Sequence, residues 1–551
     1  MSRSSKWNCV ALISVIFCGM AQAQPLPGGA LPGRIERDVA PPVEPRPTPS
    51  VVTVPAAPSA TAMPAGAATQ MLTLQGVELR GNTAIDTVAL SAIWAERIGK
   101  SITLAQVYGI ANAITARYRE AGYVLSQAVV PPQDIRADSA TVRLVVVEGF
   151  ASKVSFTGQT VDAAALQPFV EPILAERPLT LKTLERQLLL LNELAGINAR
   201  ANLKAASTPG GTELDIEVVQ QKIASSVSVH NRTSRSLGPW RFEAGTEIRG
   251  VLGAFDRHGL RWIGSGNSRL NLVSYNGETP IGASGLKVNW AGSVSRAKPL
   301  TTLVGIDSDS TSLSLGLSYP IVRSRAFSLG VRGALTSYRG STDTPLGELS
   351  NDKLRVARIG MTIDNVDDLL GINLVDIEYA QGLSGSSLLG ADTHFKKGSL
   401  YAARLQSLGS PWSLLLAVNG QKSSDVLASS EKFGLGGDVF LRAFDPSELL
   451  GDTGIAGKVE LRYQLSFGAH ESTVYLYQDV GRVTCNGAVA CSGYTGPGKY
   501  SRSLTSTGAG VRFTLGSRLK GFVEIAKPHL KVVDSKGTEK PRVFAGLGFD
   551  F

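Results

Sequence analysis

Hydrophobic and polar residues alternate along the chain from about residue 224 onward, in short segments separated by Gly, Ser, Asn and Asp clusters. Leucine and tyrosine occupy every second position from 313 to 319, with serine or glycine between them. Pro320 is expected to open a short turn, after which apolar residues again take alternate positions from Phe327 to Val331. A period of two residues predicts a β-hairpin with one apolar face and one polar face.

The same alternation returns later, from Val459 to Leu465 and from Val543 to Phe551. A soluble β-sandwich also alternates. Charged residues on the polar face, an export signal at the N-terminus and an aromatic residue in the final strand favour a bacterial membrane barrel instead. At roughly 20 residues per strand and loop, we expect a membrane β-barrel of about 16 antiparallel strands, within roughly 14 to 18, over residues 223–551.

Two similar α+β units are predicted before the barrel, at residues 71–149 and 150–222. In the first unit we expect a strand from Leu72, helices over Val88–Ile98 and from Leu104 to Tyr118, and strands over Val124–Val130 and Thr141–Val147. In the second we expect a strand over Lys153–Phe156, helices over Ala163–Leu174 and after Thr180, and strands over Ile197–Lys204 and Thr212–Val219. Both units therefore share the order β-α-α-β-β.

The N-terminal region has the pattern of an exported protein. Arg3 and Lys6 precede the apolar run Cys9–Met20, and Ala21-Gln22-Ala23 supplies small residues for cleavage, so residues 1–23 are predicted to be a signal peptide. Residues 24–70 are rich in Pro, Ala and Gly, which predicts an extended, semi-rigid linker. A short helix is expected around Gly33–Val39, before the prolines begin.

Two of the four cysteines lie in the predicted signal peptide, and the other two are Cys485 and Cys491. Their close spacing in an exported chain favours a disulfide over two free thiols. The formal net charge of +9 does not predict nucleic-acid binding, because the Lys and Arg residues are scattered and do not interleave with aromatic residues.

The chain offers few residues for catalysis or for a cofactor. The histidines are far apart and form no His-Glu-x-x-His pattern, so we expect no metal site. Gly493 to Lys499 matches the G-x-x-x-x-G-K spacing of a phosphate loop, but Tyr500 replaces the required Ser or Thr and Pro497 removes a backbone donor. We therefore expect a surface loop here, no nucleotide or other cofactor, and a protein that is not an enzyme.

A long Gly-rich segment near Phe433–Phe444 carries the most informative charges. It is too long for a simple hairpin tip, and we expect it to fold back into the barrel lumen. Further along the chain, Tyr477 and Asp479 share one strand face. A charge-assisted, bidentate bond would stabilise a loop tucked into a channel, so we hypothesise that Arg442 pairs with Asp479 and pins the loop.

This loop segment resembles a motif of the two-partner secretion transporters, the family that secretes filamentous haemagglutinin and haemolysin. The family motif V-R-G-F or V-R-G-Y corresponds to Leu441-Arg442-Ala443-Phe444, with Ala443 in place of glycine. The resemblance implies that these four residues gate secretion.

The family's barrel-wall motif F-x-D-x-G corresponds here to Tyr477, Asp479 and Gly481. The Gly81-Asn82 turn and the Glu148-Gly149 boundary also resemble the POTRA domain, a periplasmic module with the β-α-α-β-β order. The resemblance thus extends over nearly the whole mature chain.

The resemblance implies an outer-membrane barrel, surrounded by lipid and lipopolysaccharide, with two POTRA domains in the periplasm and a plug helix between Gln24 and about Val39. Such a transporter captures an unfolded exoprotein, such as an adhesin or haemolysin, by strand addition and exports it as the inserted loop shifts. An outer-membrane protein assembly factor of the same superfamily is the alternative, although such factors usually carry more POTRA repeats.

Overall fold

The computed structural model describes residues 28–38, 44–45, 52–53, 63–159, 162–253, 255–300, 305–468, 470–487, 491, 499–529 and 540–551. The predicted signal peptide at residues 1–23 lies outside these ranges, as does most of the Gly-rich segment that begins at Gly493.

Sixteen antiparallel strands form a closed barrel, in which each strand pairs with the strands before and after it along the chain. We number them β1 Ile223–His230, β2 Arg241–Arg249, β3 Arg257–Ser265, β4 Leu270–Pro280, β5 Lys287–Ala297, β6 Asp307–Arg323, β7 Phe327–Thr344, β8 Gly347–Val366, β9 Gly371–Ser387, β10 Lys396–Ser407, β11 Trp412–Ser423, β12 Thr453–Phe467, β13 His470–Cys485, β14 Tyr500–Leu515, β15 Leu519–Pro528 and β16 Arg542–Asp550. β16 returns to pair with β1 and closes the barrel. The expected barrel class and strand number are confirmed.

The barrel has the reverse of the burial pattern of a soluble protein, with apolar side chains exposed on the outside and charged side chains buried inside. On β12, Val459 is 48% exposed on the outer face, whereas the flanking Lys458 and Glu460 are 5% and 0% exposed inside. Large apolar side chains on the outside suit hydrocarbon, and the closed ring of strands leaves no backbone edge without a partner. The alternation in the sequence therefore reports an apolar outer wall and a polar lumen.

Pro320 does not open a turn, so that expectation is wrong. β6 continues through it to Arg323, and the hairpin turn to β7 comes after Arg323. The pairing of β6 with β7 shifts its register between Pro320 and Val322, and such an irregularity accommodates a proline that cannot donate a ladder hydrogen bond.

The first α+β unit has a four-stranded sheet, two α-helices and one 3₁₀ helix. Its elements are strand Met71–Arg80, helix Thr87–Ser91, 3₁₀ helix Ala95–Arg97, strand Ser101–Thr103, helix Leu104–Glu120, strand Gln127–Val129 and strand Ala140–Val147. The helix expected over 88–98 is thus two short segments, and the strand expected over 124–130 is shorter than predicted.

In the described ranges, no helix of the chain has both the length and the apolar character needed to cross a membrane.

The second unit repeats the order of the first, without a counterpart of the short strand Ser101–Thr103. Its elements are strand Phe150–Gln159, helix Ala163–Ala175, helix Leu181–Asn192, strand Ile197–Ala205 and strand Gly211–Gln220. Leu166, Leu184, Leu214 and Ile216 are fully buried in the core between its helices and its sheet.

The second unit docks against one end of the barrel, which we call the near end. Arg186 donates hydrogen bonds to the carbonyls of Pro320 (3.1 Å) and Ile321 (3.2 Å). The Phe169 ring meets the Phe255 ring edge-on, with 5.9 Å between centroids. These contacts join the unit to the end of β6 and to the connection between β2 and β3.

Part of the predicted linker is folded and buried inside the barrel. Gly28–Ala30 form a 3₁₀ turn and Arg34–Asp38 form an α-helix, of which Arg34 and Ile35 are buried. The short helix expected around Gly33–Val39 is present as Arg34–Asp38, whereas its burial in the lumen was not expected from the sequence. Farther along, the two-residue strand Val52–Thr53 pairs in parallel with Ile197–Ala205 of the second unit.

The Glu148 carboxylate links the turn at residues 83–84 to Tyr118, at the boundary of the first unit with the second. Glu148 accepts hydrogen bonds from the Ala84 N–H (2.7 Å), the Tyr118 hydroxyl (2.8 Å) and the Thr83 hydroxyl. Burial alone would raise the pKa of Glu148, but these donors outweigh burial and lower its pKa. The ionised carboxylate therefore stabilises the turn at residues 83–84.

Because the folded-state pKa of Glu148 is depressed, its stabilisation is present above the unfolded pKa and is lost as the pH falls through the folded pKa. We predict that protection of the Ala84 amide from hydrogen exchange, corrected for the intrinsic pH dependence, falls in acid. Glu148→Gln is expected to remove that acid dependence, whereas Glu120→Gln, at an exposed ion pair of the same unit, preserves it. An unchanged acid dependence in Glu148→Gln would contradict this role.

Candidate functional site

The connection between β11 and β12, residues 424–452, folds into the lumen, and we call it the lumen loop. Its two arms pair as a short hairpin, Phe433–Leu435 with Leu449–Gly451. At its tip, the Phe444 N–H donates to the Leu441 carbonyl (3.0 Å), and Leu441 adopts a left-handed backbone with φ of 57°. This turn presents Arg442 to the barrel wall.

Arg442 binds Asp479 of β13 in a bidentate manner. Its Nε and Nη2 lie 3.1 and 3.0 Å from the two carboxylate oxygens, and its backbone N–H adds a third bond of 3.1 Å. The guanidinium also stacks on the Tyr477 ring, 3.4 Å from its centroid. Arg442 is 2% exposed and Asp479 is fully buried, so water does not compete for these bonds.

A second carboxylate completes the pairing of Arg442. Glu460 of β12 is fully buried and accepts a hydrogen bond from the remaining nitrogen, Nη1. Glu460 also binds Arg462 and Arg512, each at 2.8 Å. The loop arginine thus joins a network that spans β12, β13 and β14. Arg442 has two carboxylate partners, and the pairing that we hypothesised with Asp479 is one of them.

Tyr477 is held from its other end. Its hydroxyl donates to Glu524 of β15 (2.9 Å), and Tyr475 donates to the second oxygen of the same carboxylate (2.8 Å). Arg232, just beyond β1, forms an ion pair with Glu524 at 2.7 Å. These bonds fix the aromatic ring beneath Arg442 and connect the site to the barrel seam.

The other motif residues supply close packing. A Cβ added to Gly481 would lie 2.8 Å from the Leu441 side chain, so only glycine lets the loop approach the wall this closely. Ala443 and Phe444 are buried, and the Ala443 carbonyl accepts a hydrogen bond from Arg542 (3.2 Å). The left-handed backbone of the turn falls on Leu441 and not on Ala443, so the turn does not require the glycine that the family motif carries there.

A disulfide between Cys485 and Cys491 lies in the connection from β13 to β14, next to the C-terminal end of the lumen loop. Asp452 lies beside it and accepts hydrogen bonds from the Asn486 N–H (2.7 Å) and from the buried Lys432 ammonium (2.5 Å). Asp452 and the two sulfurs are close enough together to hold a metal ion, but the disulfide leaves neither cysteine as a thiolate ligand.

The helix Arg34–Asp38 is bound by the lumen loop as well as by the wall. Arg34 donates to the Lys432 carbonyl (2.8 Å) and to the Ser447 hydroxyl (2.8 Å), and Ser447 donates to Asp38 (2.8 Å). A Cβ on Gly28 would lie 2.1 Å from the Ser447 carbonyl oxygen. Helix and loop therefore pack as one body in the lumen.

A buried acidic residue joins that helix, the loop and the wall. Glu431 of the lumen loop forms ion pairs with Arg37 of the helix (2.9 Å), Arg358 of β8 (2.6 Å) and Lys397 of β10 (2.7 Å). Glu44, further along the N-terminal segment, binds Arg462 at 3.1 Å. The sequence contained no signal for these pairs, because their members lie on separate strands and loops, between 34 and 418 residues apart.

Fold and site together define a class: an outer-membrane β-barrel that follows POTRA-type domains and contains a clamped lumen loop. Residues 72–149 match the family model described as POTRA domain, ShlB-type. The chain is 23% identical over 473 residues to the heme/hemopexin transporter protein HuxB of Haemophilus influenzae (strain 86-028NP), with 82% of each chain covered.

Two solved structures share the fold. CdiB from Escherichia coli matches with a TM-score of 0.73 and 18% identity, over 92% of this chain and 94% of that one. CdiB from Acinetobacter baumannii matches with a TM-score of 0.63 and 17% identity, over 98% and 96%.

Residues 210–513, more than half of the chain, match the family model described as Haemolysin secretion/activation protein ShlB/FhaC/HecB. The chain belongs to this family. It is an outer-membrane transporter that secretes a partner protein, with its POTRA domains in the periplasm. The near end of the barrel therefore faces the periplasm, and the lumen loop enters from the cell surface.

Asp479→Asn tests the clamp. An amide keeps the size of the side chain but removes the charge opposite Arg442, and disturbing a buried ion pair costs about 3–5 kcal/mol. We predict that a cysteine placed at Ala443 is labelled by a membrane-impermeant thiol reagent at least about tenfold faster in Asp479→Asn than in the parent.

The matched control is Asp438→Asn, on the same loop, where the carboxylate is partly exposed and lies 3.7 Å from its ion-pair partner Arg241. This control is expected to leave the labelling rate near that of the parent. Equal labelling rates in Asp479→Asn and the parent would show that the pair does not hold the loop.

Proposed function

We propose that the transporter binds one unfolded exoprotein with its periplasmic domains, moves it through the barrel lumen, and releases it at the cell surface. The observation that carries this proposal is the contact of Arg442 with Asp479 and Glu460. This contact holds a loop in the lumen, and a loop can move out of the way. Wall residues that filled the lumen could not, and they would block it permanently.

The proposal assigns a role to each part of the chain. Residues 1–23 are the signal peptide, 24–70 a linker that carries the plug helix, 71–149 and 150–222 the two POTRA domains, and 223–551 the barrel. The shared β-α-α-β-β order supports the second POTRA assignment. In the closed state described above, the plug helix and the lumen loop fill the lumen together.

In this proposal, Leu441, Arg442, Ala443 and Phe444 form the moving side of a gate. Its fixed side on β13 consists of Tyr477, Asp479 and Gly481.

Ion pairs suit such a gate because their strength depends on hydration. A buried pair resists separation, whereas a pair reached by water is worth about 0–1 kcal/mol. Once the plug leaves and water enters, the cost of moving the loop falls sharply. The gate is thereby stable when closed and inexpensive to keep open, and export needs no nucleotide at the membrane.

The periplasmic domains supply strand edges for an unfolded partner. Backbone pairing to a sheet edge requires an extended segment and little specific sequence, which suits a chain that has not folded. Folding of the partner outside the cell then prevents its return and gives export a direction. This route uses no cofactor and no nucleic acid.

The proposed partner is a large exported protein such as an adhesin or a haemolysin, in keeping with the haemolysin named in the family description. The apolar outer wall contacts membrane lipid, and the strand ends at the surface contact lipopolysaccharide.

Arg442→Ala tests the proposal in cells that export the partner. Alanine leaves Asp479 and Glu460 buried without their cation, and we predict that the partner in the medium falls below about a tenth of the wild-type amount. The barrel itself is expected to remain inserted, since its strands keep their backbone pairs, and heat-modifiable electrophoresis of outer membranes measures this.

Two further variants separate geometry from charge. Arg442→Lys keeps the positive charge but cannot form the bidentate bond, so it is also expected to export poorly. Arg482→Ala, which removes an exposed arginine from the same strand as Asp479, is expected to export normally. Wild-type export by Arg442→Ala, with the barrel inserted, would overturn the proposed gate.

A further inference from the structure

Three exposed cations lie together on the outer face of β7 and β8, and we call them the basic patch: Arg339, Lys353 and Arg355. Tyr338 and Leu354, which neighbour them along the chain, are 5% and 1% exposed on the lumen side. Because successive side chains of a strand point to opposite faces, the basic patch points away from the lumen and toward the membrane.

The three cations are close enough to repel one another. Arg339 lies directly opposite Lys353, and Arg355 is two positions further along β8. Directly opposed residues have Cβ atoms about 5 Å apart and diagonal neighbours about 7–8 Å apart, and like charges at the shorter distance destabilise a sheet. An anion that bound among these side chains would remove the repulsion.

The chain supplies no such anion in its described part, where none of the three forms an ion pair. Another cation of the outer face does have a counter-ion, since Arg296 of β5 lies 3.6 Å from Asp309 of β6. The residues that lie opposite members of the basic patch include the exposed hydroxyls Thr311 and Ser337. Hydroxyls add hydrogen-bond donors for an anion and no negative charge.

The basic patch lies beyond the apolar band, on the side that faces the cell surface. Leu335 of β7 and Ile359 of β8 are 61% and 63% exposed, and they are the last large apolar residues of the membrane-facing wall before the patch. Arg339 and Arg355 are each four positions from them along the strands. At a rise of about 3.4 Å per residue and a tilt of about 40°, these positions lie about 10 Å above the band. This is the level of lipid head groups and not of hydrocarbon.

Phosphate is the anion that best fits this place and these side chains. The surface leaflet of the outer membrane contains lipopolysaccharide, and its lipid A head group carries phosphates. Arginine binds phosphate oxygens in a bidentate manner, and lysine adds a point charge. An acidic segment of the exported protein is a weaker candidate, because a chain that moves through the lumen does not pass the outer wall.

We propose that Arg339, Lys353 and Arg355 form a binding site for a phosphate group of lipopolysaccharide on the outer wall of the barrel. This inference rests on one part of the proposed function, the contact of the surface strand ends with lipopolysaccharide. It does not depend on the proposed gate.

Lipid binding to the purified full-length protein tests the site. The probes are bisphosphorylated lipid A and the same lipid without its phosphates, each measured in a buffer that contains a metal chelator. We expect Arg339→Ala, Lys353→Ala and Arg355→Ala together to raise the dissociation constant of the phosphorylated probe about tenfold. The dissociation constant of the dephosphorylated probe is expected to stay the same.

A matched control removes the same charge from dispersed cations. Lys422→Ala, Arg482→Ala and Lys527→Ala together change three exposed residues on β11, β13 and β15, and this protein is expected to bind lipid A as the wild type does.

A second variant separates geometry from charge. Arg339→Lys with Arg355→Lys keeps the charge without the bidentate bonds, and we expect it to weaken binding of the phosphorylated probe about threefold. Heat-modifiable electrophoresis verifies that the barrel of each variant is folded.

Equal dissociation constants for phosphorylated lipid A in the wild type and the triple alanine variant would overturn the proposal. Displacement of lipid A by millimolar inorganic phosphate would also overturn it, because the patch would then be a site for free anions. Unchanged lipid A binding with reduced export would assign the patch to the exported chain instead. Binding is measured without an exported partner, so normal export by Arg442→Ala would remove the proposed gate and leave this result standing.

Discussion

The position of the lumen loop inside the barrel depends on the neutralisation of one buried cation. The Arg442 guanidinium lies in the lumen with 2% of its surface exposed, and an unpaired charge in such a place costs several kcal/mol. Asp479 and Glu460 provide two carboxylates at adjacent wall strands, and the Tyr477 ring covers the flat face of the guanidinium. The lumen loop stays inside because its charge is paired there.

The contacts of the plug helix with the lumen loop depend on that pairing. With the loop in place, Ser447 and the Lys432 carbonyl face the plug helix, and Arg34 binds both. Glu431 then joins the helix to the wall through Arg37. The plug is therefore held both by the loop and by direct wall contacts, such as the hydrogen bond from Ser310 to Glu36 (2.5 Å), and it loses the first set when the loop leaves.

Much of the fold follows from local pattern, and much of the site does not. Alternation predicted the apolar outer wall, because a two-residue period is a property of each strand alone, and the length of the barrel region predicted the strand count. Pro320 misled, since a bulge that tolerates proline depends on the neighbouring strand. The burial of residues 28–38 was also hidden, because short Gly- and Pro-rich segments carry no periodicity and are ordered here by contacts with the lumen loop.

The site residues also divide into those that the sequence indicated and those that only the structure revealed. Arg442 and Asp479 stood out because a charged loop in a channel needs an opposite charge on the wall. Glu460 appeared in the sequence as one more polar residue of an alternating strand, and its contact with three arginines requires the closed barrel. Long-range ion pairs such as Arg37 with Glu431 have no local signature at all.

The most direct measurement is to lock the loop against the wall and follow export. Asp438 of the loop lies 3.7 Å from Arg241 of β2, so a short, thiol-cleavable bifunctional reagent can join loop and wall when Asp438→Cys is combined with Arg241→Cys. Export of the partner is then expected to stop in the cross-linked protein and to resume after reduction, while wild type taken through the same cycle exports throughout. Continued export at the wild-type rate with the cross-link formed would contradict a gate that opens by movement of the lumen loop.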